Sequence, residues 1–390
     1  MESIAIIVSR LNGGGAERTA SNLSIMLSEC YDVHLILFDG TNIKYPYNGM
    51  LHDLRLPHSR NKIFNLWKRV KEVKKIKKKY KICSSISLMD GPNLVNVLSK
   101  VNDKVIASVR IRMSSSDNRK LFKLIRKINM KFVANKSNKV IALSKGVERD
   151  LHDNFGIPYD KMDVIYNPCD GKLLVELAKK NSVYERDNNY FLITTMGRLT
   201  EQKGQWHLLR ALKLVVQELP NVKLEILGDG PLLEKLKGLT YELQLDNNVT
   251  FCGFIESPHE HIADSDVFVF PSLFEGLGNV LLEALACGVP CIAADCPSGP
   301  REILADSADI VEKMDSFEFA KYGILTSLCD EGHFDTSPIT IEEKQMADAI
   351  LAVLKDKKIQ DTYKNLSLKR SESFYPEVIQ EKWVKVLKDE

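Results

Sequence analysis

Short apolar runs alternate with longer amphipathic stretches along the first part of the chain. The runs are five to seven residues long, which is typical of strands and too short for buried helices. Strands are predicted at residues 4–8, 33–38, 82–88, 104–109 and 139–143, and helices at residues 16–29, 93–99, 118–132 and 145–155. This alternation predicts a parallel, doubly wound sheet.

The same alternation starts again after a polar segment at residues 179–189. The predicted strands are 190–196, 222–227, 248–251, 266–270 and 290–294, the helices between them are 205–218, 231–243 and 279–286, and further helices lie near 341–354, 358–371 and 376–388. We therefore predict an α/β protein of two Rossmann-like domains, 1–170 and 171–375, that face each other across a cleft. A C-terminal helix at 376–390 is expected to pack back toward the first domain. Ligands of such sheets bind beyond the carboxyl ends of the strands.

The composition, 44% hydrophobic and 27% charged, is that of a globular protein. No window approaches the ~20 apolar residues needed to span a bilayer, and the first apolar run does not resemble a signal peptide. Eight cysteines are scattered without a CxxC pair. The cluster of Cys287, Cys291 and Cys296 invites a metal interpretation, but its spacing fits no zinc pattern. We expect buried, reduced thiols in a cytoplasmic protein.

Charge is distributed unevenly. Residues 1–170 have a net charge of +14 and the remainder −12, which predicts different partners for the two halves. Nine Lys or Arg residues lie within residues 68–81, where apolar residues recur at helical spacing and aromatic residues precede them. Such a helix can lie on an anionic membrane. A solvated helix packed by its apolar stripe, or a nucleic-acid partner, remains an alternative, although no nucleic-acid-binding motif accompanies the charge.

Three loops that follow predicted strands are suited to anions. The glycines of residues 12–17 let backbone N–H groups approach an anion beside a helix N-terminus, although a plain tight turn would look the same. In residues 197–204, Arg198 and Lys203 would suit a diphosphate, or the loop is simply basic and solvated. In residues 228–231 the glycines permit close approach and Pro231 suits the first position of a helix, which can be structural only.

A fourth loop, after the strand at 266–270, carries two glutamates. Glu275 lies in a glycine-flanked segment and Glu283 lies inside an apolar helix. The N–H groups around Gly278, Asn279 and Val280 would bind a phosphate at the helix start. The two carboxylates could then bind hydroxyl groups on either side, as in a sugar–diphosphate–ribose donor. Alternatively, both are surface residues that the helix dipole favours.

Taken together, residues 13–15, GRLTEQKG, GDGPL and EGLGNVLLEALACGVP resemble the family 4 retaining glycosyltransferases of GT-B fold over nearly the whole chain. The continuation DCPSGPREIL is similar to the bacterial branch that builds capsule, exopolysaccharide, O-antigen or lipid-linked glycans. Many of those enzymes use UDP-linked hexoses or N-acetylhexosamines. The resemblance implies a peripheral protein on the cytoplasmic face of the membrane. Region 60–81 would contact anionic lipid beside a lipid-linked or other glycan acceptor, with no nucleic-acid partner.

The resemblance also implies roles for individual residues. Arg198 and Lys203 would bind the donor diphosphate and stabilise it as a leaving group. Glu275 would bind the hydroxyls of the donor sugar and Glu283 those of the ribose. The other implied donor contacts are Gly14, Gly15, Gly197, Gly228, Phe254, Ile255, Gly278, Asn279 and Val280. No metal and no cofactor is implied, because cationic side chains and a helix dipole would act in place of a metal ion.

The chain departs from the family at one loop. Many members carry a histidine after the fourth strand of the first domain, and this chain has Arg110 and Arg112 there. Either could contact a phosphate or the acceptor, or be an ordinary surface arginine. Neither can be a general base because arginine stays protonated. We therefore favour the hypothesis that the leaving phosphate accepts the acceptor proton.

The sequence thus predicts a retaining, metal-independent glycosyltransferase that uses a nucleotide sugar. Two alternatives are an NAD-dependent Rossmann oxidoreductase, with Asp39 on the ribose, and a non-catalytic glycosyltransferase-like partner protein. The absence of GxGxxG disfavours the first. The presence of Arg198, Lys203, Glu275 and Glu283 together disfavours the second.

Overall fold

A computed structural model describes residues 1–56, 61–115, 120–180, 189–309, 314–330, 332 and 334–388 of the chain. The chain forms two compact units. The first comprises Met1–Pro168 and Pro376–Glu390, and the second comprises Cys169–Tyr375. The end of the chain therefore belongs to the first unit.

The first unit is built on a parallel sheet with seven strands among the described residues, in the order β3-β2-β1-β4-β5-β6-β7. The strands are β1 (Ser3–Val8), β2 (Asp32–Leu37), β3 (Met50–Asp53), β4 (Ser84–Leu88), β5 (Lys104–Val109), β6 (Lys139–Ala142) and β7 (Met162–Val164). Residues 4–8 of β1 are fully buried, as expected for a parallel strand covered on both faces. Only the edge strands β3 and β7 were not predicted, because both are short and lack a continuous apolar run.

Helices cover both faces of this sheet. They are α1 (Gly15–Leu27), α2 (Lys62–Lys79), α3 (Asp90–Leu98), α4 (Lys120–Lys136), α5 (Lys145–Phe155) and a C-terminal helix at Pro376–Lys388. Successive side chains of β1 point to opposite faces. Ile4 and Ile6 share a core cluster with Trp383 of the C-terminal helix, whereas Ile7 shares one with Val73 of α2. The C-terminal helix is thus part of the core of the first unit.

Helix α2 carries the basic segment but turns one lysine inward. Lys77 is fully buried, and its Nζ donates to Asp103 Oδ2 at 2.7 Å and to Asn96 Oδ1 at 2.6 Å. Burial lowers the pKa of Lys77 to about 8, although the Asp103 carboxylate acts in the opposite direction. One cation of the basic segment is therefore structural, and Val70 and Val73 beside it are buried as a packed stripe.

The second unit repeats the plan with a mostly parallel sheet in the order β10-β9-β8-β11-β12-β14-β13. Its strands are β8 (Phe191–Met196), β9 (Val222–Leu227), β10 (Val249–Gly253), β11 (Val267–Phe270), β12 (Cys291–Ala294), β13 (Glu318–Phe319) and β14 (Ile324–Thr326). Its helices are α6 (Gly171–Lys180), α7 (Gln205–Glu218), α8 (Leu233–Glu242), α9 (His259–Ala263), α10 (Asn279–Ala286), α11 (Pro300–Leu304), α12 (Ile341–Lys355) and α13 (Lys357–Ser371).

The predicted fold class, two doubly wound α/β sheets, is confirmed by the two topologies. Helix α6 was not predicted, because residues 171–180 were interpreted as the segment that leads into a polar linker. Most of that linker, residues 181–188, lies outside the described residues. The placement of Pro231 at the first position of a helix was wrong, because α8 begins two residues later, at Leu233.

Buried ion pairs connect α7 with α12. Glu343 Oε1 accepts from His207 Nδ1 at 2.7 Å and from Arg210 Nε at 2.6 Å, and all three side chains are fully buried. Burial alone would raise the pKa of the Glu343 carboxyl, but the hydrogen bonds from His207 and Arg210 outweigh it and the pKa is lowered. The carboxylate is therefore held in its charged form inside the unit.

Within the described residues, none of the helices combines the length and the apolar character that crossing a membrane requires. All eight cysteines are free. Cys169, Cys291, Cys296 and Cys329 are buried as expected. The expectation of burial was wrong for Cys30, which is exposed. It was too strong for the remaining three, which are half-buried: Cys83, Cys252 and Cys287.

Candidate active site

Three loops of the second unit leave the carboxyl ends of neighbouring strands. Residues 197–204 follow β8, residues 228–232 follow β9 and residues 271–278 follow β11. Strand β8 lies between β9 and β11, so the strand order reverses at β8. Ligands of open α/β sheets bind in the crevice at such a switch point. Topology alone therefore marks the three loops as a candidate binding site.

The loops after β8 and β11 are held together by hydrogen bonds and an ion pair. The N–H of Leu273 donates to Gln202 O at 2.8 Å, and Gln202 Nε2 donates to Phe274 O at 2.9 Å. The next residues in each loop meet directly, with Lys203 Nζ at 2.5 Å from Glu275 Oε1. The two side chains are 17% and 9% exposed, so the pair is largely shielded from water. Two predicted site residues that are far apart in sequence are thus in contact.

Arg198 lies at the start of the first of these loops and is exposed. Among the described residues its guanidinium has no carboxylate partner, in contrast to the engaged Lys203. The backbone carbonyl of Arg198 accepts a long hydrogen bond, 3.4 Å, from Gln205 Nε2. The guanidinium is therefore open to an incoming anion, and its planar fork suits a phosphate.

Backbone contacts account for Gly228, one of the predicted glycines. Its φ is +135°, and a Cβ there would lie 2.1 Å from Gly197 O. The N–H of Gly228 donates to Gly253 O at 2.7 Å, so the backbone after β9 contacts the end of β10 as well as the segment after β8. Packing thus requires glycine at position 228 independently of any ligand. Phe254 is 82% exposed and Ile255 is half-buried, which leaves the Phe254 ring available for stacking.

Helix α10 begins directly after the third loop. Gly278 precedes it with φ +96° and without a side-chain cap, and the half-buried Asn279 and Val280 form its first turn. Glu283 lies one turn further, and its Oε2 is 3.7 Å from His259 Nε2 of α9. Neither ring nitrogen of the buried His259 has a hydrogen-bond partner among the described atoms. His259 was not predicted from the sequence, because one histidine in a short helix forms no pattern.

Acidic residues around β11 have different environments. Glu275 and Glu283 at the carboxyl end are 8% and 6% exposed, so the alternative that both are surface residues was wrong. Asp264 and Asp266 have a D-x-D spacing and lie just before the amino end of β11. There, Asp266 Oδ2 accepts a hydrogen bond from the N–H of Leu192 at 2.9 Å. Asp266 therefore connects the amino ends of β8 and β11, at the end of the strands opposite the three loops.

The glycine-rich loop of the first unit already holds a carboxylate. The N–H groups of Asn12, Gly13 and Gly14 donate to Glu17 Oε2 at 2.7, 2.9 and 3.2 Å. Gly14 is the N-cap of α1 and Gly15 is its first residue. The loop therefore presents convergent donors to an anion, and the anion in this structure is Glu17. A diphosphate at Gly14 and Gly15 would have to share these donors with Glu17.

Arg110 and Arg112 follow β5 and both have partners within the first unit. Arg110 is buried, and its guanidinium donates to Asn167 Oδ1, which also accepts from Thr19 Oγ1 at 2.8 Å. Burial lowers the pKa of Arg110 to about 9. The alternative of a surface arginine was therefore wrong for Arg110. Arg112 is half-buried, and its Nε lies 3.8 Å from Asp150 Oδ1.

Comparison with known proteins places the chain in a family. Residues 13–172 match the model described as Glycosyltransferase Family 4, and residues 178–323 match the model described as Glycosyl transferases group 1. An uncharacterized glycosyltransferase of Methanocaldococcus jannaschii is 33% identical, over 82% of both chains. The chain belongs to glycosyltransferase family 4. The prediction of that family from the motifs is confirmed, and the oxidoreductase alternative finds no support.

Solved structures identify the fold of this family 4 glycosyltransferase as GT-B. Anabaena HepE in complex with UDP-glucose superposes with a TM-score of 0.73, at 20% identity and 99% coverage of both chains. WaaG, a glycosyltransferase of lipopolysaccharide biosynthesis, superposes with a TM-score of 0.67 at 14% identity, over 99% of this chain and 100% of WaaG. Among curated relatives, a Campylobacter jejuni 4-alpha-N-acetylgalactosaminyltransferase acting on a diphospho-undecaprenol-linked saccharide is 28% identical over 96% of both chains.

Proposed function

We propose that this family 4 glycosyltransferase is a retaining, metal-independent enzyme of bacterial surface polysaccharide or glycoconjugate synthesis. It transfers a hexose or an N-acetylhexosamine from a UDP-linked donor to a membrane-anchored glycan. The second unit binds the donor and the first unit binds the acceptor. The transfer takes place on the cytoplasmic face of the membrane.

The contact between Lys203 and Glu275 carries this proposal. It joins the loops after β8 and β11 at the switch point of the sheet, and the loop after β8 also carries the exposed Arg198. Two cations near one another suit a diphosphate, and a carboxylate held by one of them suits the hydroxyls of the attached sugar. Glu283 comes from the following helix, α10, and is assigned to the ribose. A nucleoside diphosphate sugar would satisfy all four groups.

The proposed chemistry needs no protein base. The acceptor hydroxyl oxygen forms a bond with the anomeric carbon on the face from which the diphosphate leaves, while the bond from that carbon to the phosphate oxygen breaks. The acceptor proton passes to the departing phosphate oxygen, so the products are the new glycoside and UDP. Arg198 and Lys203 stabilise the negative charge that develops on the leaving group. These cations act where other enzymes use a metal ion.

The relatives support the sugar and acceptor classes. Two Campylobacter jejuni relatives, with coverage of 96% or more of both chains, are named as α-N-acetylgalactosaminyltransferases that act on diphospho-undecaprenol-linked saccharides. Their names specify an α linkage, which is the linkage that a retaining enzyme produces from an α-linked donor. Erwinia amylovora AmsD, of amylovoran biosynthesis, is 29% identical over 77% of this chain and 83% of its own length.

Two helices of the first unit support membrane docking. At the start of α2, Ile63, Phe64 and Trp67 are 67%, 51% and 59% exposed, ahead of the exposed lysines of region 60–81, of which residue 60 lies outside the described residues. Along α4, Leu124 and Ile128 are 55% and 59% exposed. Lysines interleave with these apolar side chains, at positions 68, 71 and 74 of α2 and at 123, 127 and 131 of α4. Apolar side chains between lysines suit an anionic lipid surface.

Vesicle flotation tests the docking surface. We expect recovery with anionic vesicles to fall at high salt, because charge contributes to binding, and to fall further in Trp67→Glu and Ile128→Glu. The matched control is Ile25→Glu, which alters a 41% exposed apolar residue on α1. Equal recovery at low and high salt, or an equal loss in all three variants, would argue against this surface.

A panel of nucleotide sugars tests the donor assignment without requiring the acceptor. We expect UDP and one UDP-sugar to raise the melting temperature, and slow hydrolysis of that UDP-sugar in the presence of excess chelator. NAD should leave the melting temperature unchanged. If UDP and UDP-sugars also have no effect, the assignment of the second unit as the donor site is wrong. Binding without hydrolysis or transfer would instead indicate the non-catalytic partner.

A further inference from the structure

Three side chains with metal-ligating atoms converge in the second unit, apart from the residues proposed for the donor. They are Glu225 of β9, Cys252 of β10 and His261 of α9. One ligand atom from each lies within 4.8 Å of the other two. Among the described residues, no other group of three His, Cys, Asp or Glu side chains has this property.

The pairing of β9 with β10 explains why Glu225 and Cys252 are neighbours. Glu225 pairs with Thr250 in parallel register, so these two side chains belong to the same face of the sheet, and Cys252 follows two residues after Thr250. The register then shifts between Phe251 and Gly253, which makes Cys252 the extra residue of a bulge. Bulges re-aim side chains and recur beside functional sites.

Helix α9 supplies the third ligand atom. His261 Nδ1 lies 2.8 Å from Glu225 Oε2, and the His261 carbonyl accepts from Thr194 Oγ1 of β8 at 3.4 Å. The side chains of His261 and Glu225 are 26% and 25% exposed, and Cys252 is half-buried. The cluster is thus partly shielded but open to entry from solvent.

The donor set fits one class of ion. A thiolate, an imidazole and a carboxylate are the ligands of Zn²⁺, and together they carry two negative charges that match the charge of the ion. Bond lengths of about 2.3 Å to sulfur and about 2.0 Å to nitrogen and oxygen would separate the donor atoms by about 3.3–3.6 Å in a tetrahedral site. In the structure the distance between His261 Nδ1 and Glu225 Oε2 is 2.8 Å, and all three ligand atoms lie within 4.8 Å of one another, so the donor atoms are already close to that spacing.

We propose that Glu225, Cys252 and His261 form a Zn²⁺ site that clamps α9 to strands β9 and β10, with water in the fourth position. The ion would be structural and takes no part in sugar transfer. His261 is two residues from His259, which faces Glu283, so the clamp would also set the position of α9 near α10. The proposal does not depend on the donor assignment, because metal binding is measured directly.

Cobalt spectroscopy of the full chain tests the site, with Co²⁺ as the probe for Zn²⁺. We expect one equivalent of Co²⁺ to produce a near-ultraviolet thiolate charge-transfer band and the visible bands of tetrahedral Co²⁺, and Zn²⁺ to displace it. Cys252→Ser should abolish the charge-transfer band. His261→Ala and Glu225→Gln should weaken Zn²⁺ binding at least 10- to 100-fold, since even second-shell changes reach that range.

Cys83→Ser is the matched control. Cys83 is also half-buried, and its Sγ lies 3.9 Å from Glu2 Oε2, but no histidine of the described residues completes a cluster there. We expect this variant to retain both the spectrum and the affinity. Absence of the band in the wild-type chain, or its loss in Cys83→Ser with retention in Cys252→Ser, would overturn the proposal. Glu225 and His261 would then form a hydrogen-bonded pair only. Circular dichroism of each variant checks that the fold is intact.

Discussion

Replacement of Lys203 by methionine should separate the structural contribution of this residue from its proposed catalytic one. The Lys203–Glu275 contact at 2.5 Å corresponds to a gross attraction of roughly 7 kcal/mol at an effective dielectric constant of about 20. Desolvation of both groups offsets much of this attraction. Lys203→Met leaves the Glu275 carboxylate, 9% exposed, without this partner. Loss of one partner of a buried pair costs ~3–5 kcal/mol. Because Lys203 is 17% exposed, we expect a smaller loss of unfolding free energy, about 2–3 kcal/mol.

The double variant supplies the decisive comparison. Glu275→Gln removes the uncompensated charge, so Lys203→Met/Glu275→Gln should recover about 1–2 kcal/mol relative to Lys203→Met alone. Activity should not recover. Loss of the cation should lower kcat/KM about 10²–10³-fold, the range for one preorganised electrostatic contact. Glu275→Gln should lower kcat/KM as well, because the sugar hydroxyls would lose their proposed acceptor.

Urea unfolding followed by circular dichroism measures the stabilities, and UDP release in the presence of acceptor measures kcat/KM. The control is Lys237→Met, which breaks an exposed pair with Glu234 in α8 and should change stability by less than about 1 kcal/mol without affecting turnover. Recovery of activity together with stability in the double variant would refute the catalytic assignment. So would normal turnover of a folded Glu275→Ala enzyme.

Three further changes test other parts of the molecule. Glu17→Gln weakens the acceptor that holds the glycine-rich loop, so the transfer rate should fall, and a folded variant with normal transfer would contradict this. Lys77→Met leaves Asp103 buried and should cost ~3–5 kcal/mol in urea unfolding, whereas Lys78→Met, on the exposed side of α2, should cost less than about 0.5 kcal/mol. The pKa of the Glu343 carboxyl is lowered in the fold, so its contribution is present above pH ~4.5 and is lost as the pH falls through the lowered value. Stability measured against pH should therefore fall less steeply in acid for Glu343→Gln than for the wild type.

The sequence by itself determined the fold class and indicated the loops that we propose as the binding site. Apolar runs of strand length that are buried on both faces leave few alternatives to a parallel sheet, and loops at the carboxyl ends of strands follow from that topology. Arg198, Lys203, Glu275 and Glu283 could be selected because all four lie in or directly after such loops. Short edge strands such as β3 and β13 were missed because two to four residues carry too little periodicity.

Only the tertiary structure decided which side chains meet. Lys203 contacts Glu275 across 72 positions, Lys77 turns inward from an otherwise basic surface, and Glu17 occupies the donors of its own loop. Arg110 is buried against Asn167, although its sequence context fits an exposed loop equally well. Such contacts depend on strand order, register and burial, which are set by the packing of segments far apart in the chain. The local pattern indicates on which face of a helix or strand a side chain lies, but not which residue it contacts there.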